Sequence, residues 1–95
     1  MTISELKVRQ GKVDIEVEVK DLGEVRTFER FGREGRVCNA TVFDESGEIK
    51  LTLWNDDIDR IKVGNKLKII NGFVNEFRGE KQLTAGRLGK IEIVS

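Results

Sequence analysis

Val13, Ile15, Val17 and Val19 alternate with Asp14, Glu16, Glu18 and Lys20, the period-two pattern of a strand with one face in a core. The pattern runs on through Leu22-Gly23 into Glu24-Val25-Arg26-Thr27-Phe28, and Gly23 predicts a bend or bulge where one strand serves two sides of a curled sheet. Gly32-Arg33-Glu34-Gly35 reads as a loop. From Val37 to Phe43 the alternation returns, with Cys38, Ala40 and Val42 as the inward set and Asn39 and Thr41 as the outward one. Asp44-Glu45-Ser46-Gly47 then predicts a short hairpin turn into Glu48 to Trp54, where Ile49, Leu51 and Leu53 share a face. Asn55 to Ile61 reads as a helical turn capped by Asn55 or Asp56, with Ile58 and Ile61 on one side and Val63-Gly64-Asn65 stopping it. A fourth strand starts at Lys66, is interrupted at Asn71-Gly72, and resumes over Phe73 to Phe77 before a turn at Arg78-Gly79-Glu80. The last strand, Lys81 to Arg87, leads through Gly89 to Ile91-Glu92-Ile93, which is expected to close the sheet against the first strand. Met1 to Lys12 is the stretch expected to be loosely held.

Five strands with one short helix between the third and fourth is the element order of the OB-fold, an all-β, five-stranded, partly open Greek-key barrel. An SH3-like barrel or a small sandwich shares the strand count, but the helical turn favours the OB order. The 95 residues suit a single domain spanning 1–95, burying roughly 60–65% of the surface that the unfolded chain exposes. No apolar run is long enough for a membrane span, and Met1-Thr2-Ile3-Ser4-Glu5 does not open like a secretory segment. Cys38, the single cysteine, lies in an apolar strand pattern with no partner for a disulfide or a metal. A reducing, intracellular setting is expected, cytoplasmic and nucleoid-associated.

The large aromatics change this picture of a plain barrel. Trp54 shares its strand face with Lys50 and Thr52, opposite Ile49, Leu51 and Leu53, so the largest apolar side chain falls on the polar face. An indole beside a lysine and a threonine suits a flat, charged ligand such as a nucleic-acid base on its phosphate backbone. A tryptophan covered by a loop or neighbouring strand is the alternative on this strand alone. Phe73 and Phe77 share the parity of Asn75. Carried unbroken from Leu67 and Ile69, that parity puts both rings in the core, whereas a bulge at Asn71-Gly72 turns them outward and Val74 inward. With the bulge, Trp54, Phe73 and Phe77 join Lys50, Thr52, Asn75 and Arg78 on one exposed sheet. Phe28 and Phe31 flank Arg30 and could clamp a strand, although one of them is expected to anchor its loop. Phe43 is as well placed to cover the barrel end as to bind.

Charge first argues against nucleic acid, since 17 basic and 17 acidic residues give a formal net charge of zero. A field that attracts phosphates must then come from clustering. The segment from Arg26 to Arg36 holds Arg26, Arg30, Arg33 and Arg36 against Glu29 and Glu34, and that from Arg78 to Lys90 holds Arg78, Lys81, Arg87 and Lys90 against Glu80. These are the loops joining strands one to two and four to five, where OB-folds commonly bind oligonucleotides. Any one of these charges could equally be a solvated ion pair.

The chain resembles the simple OB-fold single-stranded DNA-binding proteins of archaea, their single-OB eukaryotic relatives and the OB domains of archaeal replication protein A. The resemblance covers residues 5–93. It lies in the run from Val37 to Thr41, in Asp44-Glu45-Ser46-Gly47 followed by Ile49 to Trp54, and in Gly72-Phe73-Val74-Asn75-Glu76-Phe77-Arg78-Gly79 with Gly86-Arg87 after it. It implies base stacking on Trp54, Phe73 and Phe77, while Thr84 stands where some relatives place a further aromatic, implying a shorter footprint or weaker grip. The expected partner is single-stranded DNA, bound with little sequence preference in replication, repair or recombination, with other replication or repair proteins as further partners. The binding set is Trp54, Phe73, Phe77, Lys50, Thr52, Asn75, Arg78, Arg87, Thr84, Arg30, Arg33, Arg36, Asn39 and Thr41. A protein-docking OB module and an RNA-binding OB domain are the alternatives. Catalysis is not expected: histidine is absent, Asp56, Asp57 and Asp59 read as a helix cap, and Gly32-x-x-Gly35 is no phosphate loop. No cofactor, metal, membrane or small-molecule substrate is expected.

Overall fold

The computed structural model describes residues 1–85 and 89–95. A 3-10 turn at Ile3–Glu5 precedes β1 (Val13–Arg30), β2 (Arg33–Asp44), β3 (Gly47–Trp54), α1 (Asp56–Arg60), β4 (Lys66–Phe77), β5 (Glu80–Thr84) and β6 (Lys90–Ile93). The strands follow the order β1-β2-β3-β5-β4, and β4 pairs back onto β1, so five strands form a closed ring. Pairing is antiparallel except between β3 and β5, which run parallel. Closure leaves the ring without a free edge. This is the OB-fold order read from the sequence, with α1 between β3 and β4.

The inward parities hold. Val13, Ile15, Val17 and Val19 of β1, Cys38, Ala40 and Val42 of β2, and Ile49, Leu51 and Leu53 of β3 are all buried. Leu67, Ile69, Val74, Leu83, Ile61 and Ile91 join that core together with Ile3 and Leu6, and no polar or charged residue is buried among the described residues. Two interruptions let long strands serve two walls. One register shift precedes Gly23 and a second spans it; an added Cβ there would stand 2.3 Å from the Asn39 carbonyl oxygen, so β2 can approach only because β1 carries no side chain at that point. In β4, Val13 faces Gly72 while Ile15 faces Ile69, which inserts one extra residue on the β4 side. Asn71 occupies the bulge at φ 55°, a left-handed conformation that asparagine tolerates, and the Asp14 carboxylate accepts its backbone N–H at 2.9 Å.

Four sequence expectations are corrected. Gly32 to Gly35 is not an open loop: Arg30 pairs with Arg33, and Phe31-Gly32 closes a two-residue turn with both φ values positive, the signature of a type I′ hairpin. β1 and β2 therefore run on as a two-stranded ribbon. Ile91 to Ile93 pairs with β4, opposite Ile69 and Leu67, and not with β1, because β1 already pairs with β4 and closes the ring itself. Asn55 makes no side-chain cap to α1; its Oδ1 instead accepts the Arg36 backbone N–H at 2.9 Å. The opening segment is tied down. Ile3 and Leu6 are buried, the Ile3 N–H donates to Asp44 Oδ2 at 2.8 Å, the Arg9 N–H donates to the Val74 carbonyl at 2.7 Å, and Lys81 Nζ donates to the Leu6 carbonyl at 2.8 Å.

Candidate nucleic-acid interface

The bulge at Asn71 decides the character of the outer face. Below it Leu67 and Ile69 point inward, and above it Gly72 and Val74 do, so Phe73, Asn75 and Phe77 turn out. Registers then assemble this face row by row across four strands. Thr41, Lys50, Gln82 and Asn75 form one row, and Asn39, Thr52, Thr84 and Phe73 form the next. Trp54, opposite Val37, starts a third row, while Phe77 lies at the other end opposite Glu80. Trp54 and Phe77 are 45% and 57% exposed and Phe73 is 38% exposed, although the core beneath is complete. From strand spacing and rise, Phe73 lies about 12 Å from Trp54 and about 13 Å from Phe77 along the backbone grid.

Polar groups between the rings are ordered by cross-strand pairing. Lys50 Nζ donates to Thr41 Oγ1 at 2.6 Å, and Thr52 Oγ1 donates to Asn39 Oδ1 at 3.3 Å. Thr84 lies half-buried between Phe73 and Thr52, so the position carries spacing and a hydroxyl in place of a ring. At the β4–β5 turn, Arg78 and Gly79 both take positive φ, and the Arg78 guanidinium carbon sits 5.2 Å from the Phe77 ring centre. That cation can stack on a base and meet a phosphate together with Phe77.

The β1–β2 ribbon sorts its charges by parity. Arg26, Phe28 and Arg30 pair with Val37, Gly35 and Arg33. All six share the side that continues from Trp54, because Val37 faces Trp54 across β2–β3. Phe28 meets Trp54 edge-on, with ring centres 5.9 Å apart and planes at 87°, and lies over Gly35, where a Cβ would come within 2.3 Å of the ring. Phe28 is thus the anchoring phenylalanine of the ribbon, and Phe31 at its tip is 96% exposed. The opposite side carries Glu29, Glu34 and Arg36. There Arg36 forms a two-pronged pair with Asp59 at 2.7 and 3.1 Å and also donates to the Asn55 carbonyl at 3.3 Å. Asp59 is held below its ordinary value by the Arg36 hydrogen bond, and Arg36 is raised by the same contact. Arg36 therefore tethers α1 to β2, away from the aromatic face.

Of the second basic cluster, Lys81 holds the Leu6 carbonyl, Lys90 pairs with Glu92 at 3.0 Å, and Arg87 lies outside the described residues. A groove of about 320 Å³, lined by Gly23, Glu24, Arg26, Val37, Cys38, Asn39 and Lys50, extends the face at the root of the β1–β2 ribbon. Cys38 itself is buried; burial pushes its thiol up, and it donates to the Gly23 carbonyl at 3.2 Å. It is a packing residue with no nucleophilic character. Among the described residues no cluster of three or more acidic or thiol groups is placed to hold a metal. Lys7, Arg9 and Lys12 are cations that sequence reading left out: all three are exposed, and Gly11 within this stretch comes within 3.7 Å of the Phe73 ring at its Cβ position. Only the packing of the opening segment along β4 brings them there.

The chain is 35% identical over 89 residues to the single-stranded DNA binding protein Ssb of Saccharolobus solfataricus, a match covering 94% of this chain and 60% of that protein. It is 35% identical over 68 residues to replication factor A of Methanothermobacter thermautotrophicus, covering 66% of this chain and 9% of that protein. The chain thus spans about three fifths of the first relative and a small part of the second. Among solved structures, the second OB-fold domain of replication protein A from Methanococcus maripaludis superposes with a TM-score of 0.78 at 26% identity, covering all of this chain and 94% of that one. Since the model of the Ssb-like single-stranded DNA binding proteins with an OB fold matches residues 4–93, the chain belongs to that family.

Proposed function

We propose that this protein binds single-stranded DNA with little sequence preference, by stacking bases on Trp54, Phe73 and Phe77, in DNA replication, repair or recombination. The observation that carries this reading is the outer face of β2, β3, β5 and β4. It leaves three rings exposed over a complete core and interleaves them with Lys50, Thr52, Asn75 and Arg78. Every base has a face that can stack, and every nucleotide brings a phosphate, so such a surface is tolerant of sequence. Arg26, Arg30 and Arg33 extend the track along the ribbon. The hydroxyls and amides of Asn39, Thr41, Thr52 and Thr84 line it, and Arg87 is assigned from the sequence alone. The parity segregation of the ribbon supports nucleic acid over a protein partner, because a molecule of zero net charge still offers a basic, aromatic side. The mechanism is passive binding without catalysis.

Three platforms at about 1–3 kcal/mol each contribute roughly 3–9 kcal/mol before ordering of the strand is subtracted and phosphate pairing added. A micromolar to high-nanomolar affinity, about 8–9 kcal/mol, is expected, with a footprint at the short end of the roughly 4–16 nucleotides seen per OB-fold. The test is Trp54 fluorescence during titration with oligo-dT, oligo-rU and duplex DNA. Strong quenching by oligo-dT and little response to duplex is expected. An equal response to oligo-rU would make the protein an RNA binder, and a silent Trp54 would move the aromatic face to a protein partner.

A further inference from the structure

The stacking face accounts for Trp54, Phe28, Phe73 and Phe77 and leaves Phe31 without a role. Phe31 occupies the first position of the β1–β2 turn at φ 53°, followed by Gly32 at φ 74°. Asparagine, aspartate or glycine fills that position without strain, whereas a bulky aromatic does so poorly. The same ring is 96% exposed. A side chain that is strained and uncovered at once points to a use outside the folded chain. The ring is oriented by its neighbour, since the Arg30 guanidinium carbon sits 6.0 Å from its centre, within cation–π range.

Position separates Phe31 from the other rings. It lies six residues beyond Val37, the partner of Trp54, or about 20 Å farther along an extended strand. It also stands at the apex of the ribbon, so it meets a ligand end-on while the platforms lie alongside. We propose that Phe31 caps the terminal base pair where bound single-stranded DNA runs into duplex, so that the protein seats preferentially against such a junction. This rests on the single-strand reading above. A two-stranded ribbon can also enter a major groove sideways, but there Glu29 and Glu34, on the side opposite Arg26, Arg30 and Arg33, would face phosphates. End-on capping keeps the arginine side along the incoming strand and turns the acidic side away.

The test compares binding of a short oligo-dT with the same strand carrying a duplex at its 5′ or its 3′ end, using 2-aminopurine in the terminal pair as a stacking reporter. One polarity of tailed DNA is expected to bind about fivefold or more tighter than the bare strand, the lower range for one stacked ring, with quenching of the reporter. Phe31→Asn, which suits the turn, and Phe31→Ala should remove that preference and the quenching while bare-strand affinity stays within about twofold. Equal affinity of the wild type for tailed and bare strands would overturn the proposal. Equal losses on both substrates would overturn it too, making Phe31 an ordinary strand platform, as would a blunt duplex bound as tightly as the tailed one. Failure of oligo-dT to bind or to quench Trp54 would instead remove the single-strand reading itself.

Discussion

Trp54 combines a large apolar side chain with 45% exposure, and its ring meets that of Phe28 edge-on. Its removal should therefore register in binding far more than in stability. Trp54→Ala is expected to weaken oligo-dT binding by about 1–3 kcal/mol, or roughly 5- to 150-fold, with the melting temperature nearly unchanged; parallel titration and thermal melts check this, and unaltered affinity in a folded variant would end the stacking model. The arginines allow a sharper contrast. Arg33 lies on the Trp54 side of the ribbon and Arg36 on the other, locked to Asp59. Arg33→Ala should lower affinity evenly across sequences and flatten the slope of log affinity against log salt by about 0.7. Arg36→Ala should leave that slope alone. Equal effects of the two substitutions on the salt slope would mean that strand parity does not sort these charges as described.

At the scale of elements the bulge in β4 is the pivot. Pairing Asn71 regularly, with no bulge, would carry an unbroken alternation on from Ile69 and send Phe73 and Phe77 inward and Val74 outward, which the filled core cannot accommodate. A milder probe is Gly72→Ala, whose Cβ would stand 2.9 Å from Ile69 Cγ2 and 3.3 Å from the Thr84 carbonyl oxygen. It should cost about 1–3 kcal/mol of stability, read as a lower denaturant midpoint with unchanged slope. The bulge also shows what a sequence can and cannot carry. Asn71-Gly72 marks an interruption, and Trp54 breaks the parity of its strand, so the aromatic face was legible as one of two alternatives. Choosing between them needed the pairing of β4 with β1, a contact between distant segments. The same holds for β6, whose Ile91 and Ile93 suit either edge of β4 or β1, and for Gly35, which resembles a loop residue until Phe28 is seen to lie over it. The opening segment has too few apolar residues for a periodicity, and its anchor, Asp44, is 41 residues away from Ile3.

For the whole molecule, with a formal net charge of zero, the response to pH is set by which ionisable groups the chain has and by what holds them in the fold. The chain has no histidine, so no side chain of ordinary acidity changes charge between pH 5 and 8, and DNA phosphates stay ionised throughout. Both stability and single-strand affinity should be flat across that range. The acid limb is governed by carboxylates such as Asp44. Burial pushes Asp44 up, but hydrogen bonds from Ser46 Oγ and from the backbone N–H groups of Ile3, Ser46 and Gly47 outweigh it and hold the carboxyl below its usual value. A carboxyl lowered on folding stabilises the native state above its unfolded value, and that contribution is lost as pH falls through the folded one. The melting temperature should therefore hold to about pH 5 and decline below about pH 4. Asp44→Asn should lower it already at neutral pH, because the amide replaces one acceptor oxygen with an NH2 group at a site made of donors, and should shallow the acid decline. Thermal melts from pH 8 to 3 on both proteins check this. A drop between pH 7 and 5, or an acid limb as steep in Asp44→Asn as in the wild type, would show that the tie between the opening segment and the β2–β3 turn is not what acid releases.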